Sequence, residues 1–288
     1  MTVDRPLRLG LPKGRIKEGV MNLLAGAGIE IHMGARNYRP NVSMEGIEAK
    51  LLKPQNIVEM LHVGSRELGF AGADWVEELD VDLVELVDTG MDPVRLVAAA
   101  PEEMVPGGKL PDRPLVVASE YERLTRRWIE ERGLDATFVH SYGATEVFPP
   151  EDADCIVDNT ATGSTLRANG LAIVDTLMLS STRLYANPKI LDEPAKREVV
   201  DRFVLLIESV LAARRRVMIE VNVDRDKLEE VVAFLPCMRE PTISPLRGEA
   251  GFAVKAAVPR GELTAIVPEL KARGGSDIVV TELAQIIP

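Results

Sequence analysis

The sequence predicts an α/β protein with a largely parallel sheet, followed by a smaller module of βαββαβ order. Three observations carry that expectation. From Leu7 to Leu211, short apolar runs alternate with stretches of helical periodicity, the pattern of strands packed under helices. From Val217 the order changes to strand, helix, two strands, helix and strand within about 70 residues, the split-βαβ or ferredoxin-like arrangement. At 288 residues the chain suits two domains, or three small ones, and needs no external staple.

Leu7 to Leu11 is a strand ended by Pro12-Lys13-Gly14-Arg15. The helix after it carries Ile16, Val20, Leu23, Leu24 and Ala27 on one face, with Gly28 just past its end. Ile47 to Leu52 is a second strand, and Pro54 opens a helix through Ile57, Met60 and Leu61 that stops near Gly64. Leu68 to Ala71 is a third strand, and Gly72-Ala73-Asp74 turns into a helix. Two more strands are expected at Val84 to Val87 and Val94 to Ala99. Pro101 to Pro114, with two glycines and four prolines, reads as a hinge or domain crossover. Beyond it Leu115 to Ala118 is a strand, Glu120 to Glu131 a helix, and Ala136 to Val139 leads to a turn at Gly143. Leu171 to Leu179 is strand-like, and Asp192-Glu193-Pro194 starts a long helix. Its stripe of Val199, Phe203, Ile207, Val210 and Leu211 runs to Arg214-Arg215-Arg216, three cations that suit a helix C-terminus. The last module takes strands at Val217–Val223, Thr242–Leu246, Phe252–Val258 and Asp277–Val280, with helices at Asp226–Phe234 and Glu262–Lys271.

Composition narrows the function. Lys and Arg total 34 against 45 Asp and Glu, a net charge of −11, which argues against a nucleic-acid binder while leaving small anions open. Cys155 and Cys237 stand far apart in apolar surroundings, as in a reduced cytoplasm. There is no signal-peptide core and no apolar run near ~18 residues, so neither export nor a membrane is expected. His32, His62 and His140 share no metal-ligand spacing.

The most informative stretch is Asp154 to Leu166. A short apolar run, Cys155 to Val157, ends in Asp158, then small hydroxyl residues surround Gly163 before a helix-compatible run closed by Gly170. A glycine admits the backbone to an anion, successive N–H groups can point at it, and a helix start adds positive potential. Thr160, Ala161, Thr162, Gly163, Ser164 and Thr165 are therefore candidate phosphate ligands, and Asp158 is placed to accept from sugar hydroxyls. An ordinary strand-turn-helix fits the same spacing. Lys13, Gly14, Arg15 and Lys17 follow the first strand, Lys53 the second and Asp74 the third, all at the carboxyl edge where open α/β sheets bind ligands. Glu146 and Asp158 form a possible carboxylate pair. No nucleophilic triad is suggested, so the chemistry is one of positioning and charge stabilisation.

These residues resemble the ATP phosphoribosyltransferases in their long form. The densest match runs from Glu146 to Leu171, with Asp158, Thr162-Gly163-Ser164-Thr165-Leu166 and Asn169-Gly170-Leu171 in the family's order. Leu9 to Arg15, Leu68 to Asp74, Leu235-Pro236 and Pro241 to Ser244 match as well. The resemblance implies a two-lobed catalytic region of periplasmic-binding-protein type II, with residues 1–95 and 182–213 in one lobe and 96–181 in the other. An ACT-like histidine-sensing domain would take residues 214–288. It implies transfer of the phosphoribosyl group of phosphoribosyl pyrophosphate (PRPP) to N1 of ATP with Mg²⁺, and feedback inhibition by L-histidine. A cytoplasmic homo-oligomer, dimer to hexamer, is expected, with the metal ligands unassigned. Thr162 to Thr165 would hold the 5-phosphate and Asp158 the ribose hydroxyls, with Thr160 and Ala161 also in the PRPP site. Lys13, Gly14, Arg15, Lys53, Asp74 and Glu146 would serve pyrophosphate or nucleotide, with Lys13, Arg15 and Asp158 catalytic. Asn222, Met238 and Thr242 would contact histidine. The sequence departs from the pattern at Asn159, where an aliphatic residue is usual, at Asn56, at Cys237 and in a shortened run from Glu146 to Asp158. A non-catalytic sensor or regulatory paralogue is the alternative.

Overall fold

Leu7, Leu9 and Leu11 are wholly buried, and their alternation makes β1 (Leu7–Pro12) the middle of a parallel half-sheet. The computed structural model describes residues 5–34 and 38–287. The chain divides into two units, Met1–Asn22 with Glu30–Asp201 and Leu23–Ile29 with Arg202–Pro288.

After β1 come α1 (Lys17–Gly26), the short strands β2 (Ile31–His32) and β3 (Asn41–Val42), and β4 (Ile47–Leu52). Then follow α2 (Pro54–His62), β5 (Leu68–Gly72), α3 (Ala73–Leu79) and the 18-residue β6 (Val84–Pro101). A second series continues with β7 (Leu115–Ser119), α4 (Glu122–Arg132), β8 (Ala136–His140), β9 (Cys155–Thr160), α5 (Ser164–Ala168), β10 (Leu171–Ala186) and α6 (Pro194–Arg214). One eight-stranded sheet has the order β4-β1-β5-β10-β6-β9-β7-β8. Its outer thirds are parallel and its two long central strands antiparallel, the expected type II arrangement of two lobes joined by crossing strands.

The register of the central ribbon decides where the strand ends fall. β5 runs against β10 until Gly72 faces Thr182, and Thr182 faces Met91 of β6. β9 runs against β6 until Thr160 faces Arg95. The carboxyl ends of the two half-sheets therefore converge on neighbouring points of one strand.

Two strands were expected where β6 is one. The segment from Asp88 to Pro93 is polar and turn-like, and Gly90 and Asp92 take φ values of 64° and 48°. It stays in the sheet because β10 grips it. Thr89 Oγ1 donates to the Thr182 carbonyl, Ser181 Oγ to Asp88 and Thr182 Oγ1 to Asp92. The residues left over bulge between Thr182 and Arg183. For the same reason β10 runs on to Ala186, past the expected end at Leu179. Pro101 to Pro114, expected as the crossover, is a local link with 3-10 turns at Glu102–Met104 and Pro106–Gly108.

The second unit takes the remaining elements, β11 (Arg216–Val223), α7 (Leu228–Phe234), β12 (Thr242–Pro245), β13 (Phe252–Pro259), α8 (Leu263–Ala272) and β14 (Ser276–Glu282). They pair antiparallel in the order β12-β13-β11-β14, as the βαββαβ pattern requires. Val217, Ile219, Val221 and Val223 alternate into a core with Val254, Val258, Ile266 and Leu270. No helix among the described residues is long and apolar enough to cross a membrane.

Close approach of β5 to α2 rests on Gly69. A Cβ there would stand 2.6 Å from Ile57 Cγ2 and 3.3 Å from the Gly10 carbonyl oxygen. Gly69→Ala should cost about 1–3 kcal/mol of unfolding free energy in urea titration. In an Ile57→Ala background the same change should cost clearly less; an equal cost in both would refute the contact.

Candidate functional site

The residues at the converging strand ends are polar and mixed in charge. Lys13 follows β1, Lys53 follows β4, Asp74 opens α3, Glu120 follows β7 and Asn159 lies near the end of β9. With Gly14, Arg15, Ile16, Pro54, Gln55, Gly72 and Trp75 they line a cavity of about 410 Å³. An adjoining cavity of about 340 Å³ is lined by Val94, Glu146, Asp158, Thr160, Ala161, Thr162, Ser164, Thr165 and Leu166. Arg15 and Asn159 line both. A third cavity, about 460 Å³ along the edge strand β4, holds none of the expected site residues.

The structure thus brings the expected residues together in two groups. Lys13, Gly14, Arg15, Lys53 and Asp74 share the first cavity. Asp158 and the hydroxyl-rich loop share the second, and Glu146 belongs there rather than with the lysines. Gly163 shapes the loop at a φ of 75°, which favours glycine. Its N–H donates 2.9 Å to Thr160 Oγ1, and its carbonyl accepts from the Arg167 N–H. Thr162 and Ser164 hydroxyls lie 2.9 Å apart at the exposed rim.

Burial pushes the Asp158 carboxyl up to about 6, opposed by the Asn159 N–H at 2.7 Å and reinforced by the charges of Glu146 and Glu120. A cationic partner would reverse that. Lys13 Nζ sits 3.8 Å from the centre of the Tyr38 ring, and Arg15 donates 3.4 Å to the Asp92 carbonyl at the middle of the ribbon. Burial pushes the Cys155 thiol up to about 12, which makes it a poor nucleophile.

One cluster escaped the sequence. Asp74 is buried with both carboxylate oxygens engaged: Tyr121 Oη donates 2.6 Å to Oδ2 and Ser180 Oγ 2.8 Å to Oδ1. Asn159 Nδ2 donates 2.8 Å to the Tyr121 oxygen, and Trp75 stacks on the Tyr121 ring at 4.6 Å. Burial, with Asp74 adding to it, drives the Tyr121 phenol far above its ordinary range, so it remains a donor. The hydrogen-bond network thus ties α3 to β9 through Tyr121 and to β10 through Ser180. The signal available was position: Tyr121 follows a strand end just as Lys13 and Asp74 do.

In the second unit Met238 and Thr242 line a cavity of about 380 Å³ with Arg239, Glu240 and Lys255. Asn222 is not part of it; its amide donates 3.1 Å to Asp277.

A family model described as ATP phosphoribosyltransferase matches residues 53–209, and one described as HisG, C-terminal domain, matches residues 213–285. The ATP phosphoribosyltransferase of Pelotomaculum thermopropionicum is 36% identical over 98% of this chain and 99% of its own length. That of Pelodictyon phaeoclathratiforme is 34% identical over 99% of both. A chain solved in the ATP phosphoribosyl transferase (HisG:HisZ) complex from Thermotoga maritima aligns with a TM-score of 0.62 at 26% identity, covering 70% of this chain and 98% of that one.

The raised Asp158 value has a direct consequence for stability. Its ordinary value is 3.8, so the folded state holds the proton more tightly and the charged carboxylate costs stability as pH rises from about 4 through about 6. Asp158→Asn should therefore be more stable than the parent by about 1–3 kcal/mol at pH 8. In denaturation curves the difference should shrink on acidification and approach zero only near about pH 3, below the ordinary value. A difference that grows on acidification would contradict the burial described.

Proposed function

The chain belongs to the ATP phosphoribosyltransferase family, and from that premise we propose how its residues divide the work. The enzyme transfers the phosphoribosyl group of PRPP to N1 of ATP, releasing pyrophosphate, in the first step of L-histidine biosynthesis. The observation that carries the assignment is the pair of cavities at the converging strand ends, which share Arg15 and Asn159.

PRPP takes the cavity of Asp158 and the loop. Its 5-phosphate lies against Thr160, Ala161, Thr162, Gly163, Ser164 and Thr165, and its ribose hydroxyls donate to the Asp158 carboxylate. ATP takes the neighbouring cavity, with its phosphates towards Lys13, Gly14 and Lys53 and its base towards Asp74. The N1 lone pair forms the new bond to the ribosyl C1 while the C1–O bond breaks, and the departing pyrophosphate keeps the electron pair. Arg15, at the wall between the cavities, with Lys13 and Lys53, offsets the charge that develops on the leaving group. No protein nucleophile is needed, because alignment supplies much of the rate.

Mg²⁺ suits the second cavity. Asp158 and Glu146 present two carboxylates whose charges oppose each other there. Magnesium is commonly held by one or two carboxylates together with substrate phosphates. When bound, it supplies charge neutralisation at the pyrophosphate.

Residues 1–95 with 182–213 form the nucleotide lobe in this reading, 96–181 the PRPP lobe and 214–288 the sensing domain. L-histidine fits the cavity of Met238 and Thr242, where Lys255 and Arg239 suit its carboxylate and Glu240 its amine. Asn222, engaged with Asp277, takes no direct part. The free thiols of Cys155 and Cys237 accord with a cytoplasmic enzyme, and we assign a homo-oligomeric state.

Protein mixed with ATP, PRPP and Mg²⁺ should yield the absorbance of phosphoribosyl-ATP; no product from intact protein would sink the assignment. Gly163→Val should raise the KM for PRPP about tenfold or more, through strain at a positive φ and a blocked approach. An unchanged KM would misplace the phosphate. Thr242→Val should raise the histidine concentration for half-inhibition several-fold, and unaltered inhibition would move the sensor elsewhere.

A further inference from the structure

Asn159 stands at the wall between the two cavities, and its orientation follows from hydrogen-bond polarity. The Asp74 carboxylate can only accept, so Tyr121 must donate its one hydroxyl proton there, at 2.6 Å. The phenolic oxygen can then only accept, and the Asn159 group 2.8 Å away must be the amide nitrogen rather than the carbonyl. The Asn159 Oδ1 atom is thereby turned away from Tyr121, on a half-buried residue that lines both cavities. It is an acceptor whose direction is fixed from Asp74 inward.

The reaction supplies the donor. Adenine must bring N1 to the ribosyl carbon held by the second cavity, so the edge facing that wall is the one carrying N1 and, beside it, the 6-amino group. Given the placement of ATP argued above, we propose that the Asn159 side-chain carbonyl selects the base by accepting a hydrogen bond from the 6-amino group of ATP. A 6-oxo purine would set carbonyl against carbonyl at the same point and leave both unsatisfied. Asn159 is a specificity-determining residue on this reading, and Tyr121 positions it.

The test compares equilibrium binding of ATP and inosine triphosphate to the full-length protein by calorimetry. A ratio measured on one preparation is insensitive to the fraction folded. The parent should favour ATP by about 10- to 100-fold. Asn159→Leu should cut that preference to within about threefold, mainly by weakening ATP. Tyr121→Phe keeps the Asn159 carbonyl but frees the amide to turn, so it should erode the preference too. A parent that does not discriminate, or an Asn159→Leu protein that keeps the parent's ratio, overturns the assignment. Lys53→Glu separates the two levels. If it weakens ATP while Asn159→Leu leaves the ratio untouched, the cavity stands and the role of Asn159 falls. If ATP affinity ignores Lys53→Glu and Asn159→Leu alike, the nucleotide lies elsewhere and both readings fall.

Discussion

The antiparallel pairing of β6 with β10 is the constraint on which the catalytic unit depends. Each half-sheet is parallel and local, but neither contains a complete site. The ribbon sets their offset, so that β5 stops opposite Thr182 and β9 stops opposite Arg95. Ligand sites in open α/β sheets lie beyond strand carboxyl ends, and here two sets of ends meet. A shift of one residue in the ribbon would turn its side chains to the other face and disengage Thr89, Ser181 and Thr182 from their partners. The two adjoining cavities are thus a product of strand register before they are a product of side-chain choice.

Charge is distributed to match. The chain carries a net −11, yet its proposed ligands are polyanions. The conflict is resolved locally by placing Lys13, Arg15 and Lys53 at the ends of two neighbouring strands. The carboxylates have separate tasks. Asp74 is satisfied by Tyr121 and Ser180 and is structurally committed. Asp158, raised by burial and by Glu146, lacks such partners among the described hydrogen bonds from side chains and is the one suited to meet hydroxyls or a cation.

Much of this was legible because it is local. Leu7, Leu9 and Leu11 announce a buried strand, Pro54 a helix start, and Val217 to Val223 an alternating one. The strand-end positions of Lys13, Lys53, Asp74 and Asp158 followed from those boundaries. What stayed hidden depends on partners distant in sequence. Residues 88–93 read as a turn in isolation and become strand only through Ser181 and Thr182. The Tyr121 contact with Asp74 spans 47 positions and that with Asn159 spans 38, beyond any periodicity. Glu146 shares the cavity of Asp158, as the carboxylate pairing expects, whereas the family resemblance sets it with the nucleotide ligands.

Asp74 and Ser180 are 106 positions apart, and their contact exists only once β10 is in place. Nearly every residue assigned to the substrates precedes β10 in the chain. A nascent polypeptide therefore carries almost the whole list of ligand-contacting side chains before it has anything to hold them together. Long loop closures are slow to form, so assembly of the catalytic unit waits on its last strand. Synthesis and competence are separated in time: the half-sheets pair locally, but the strand that sets their offset ends only at Ala186.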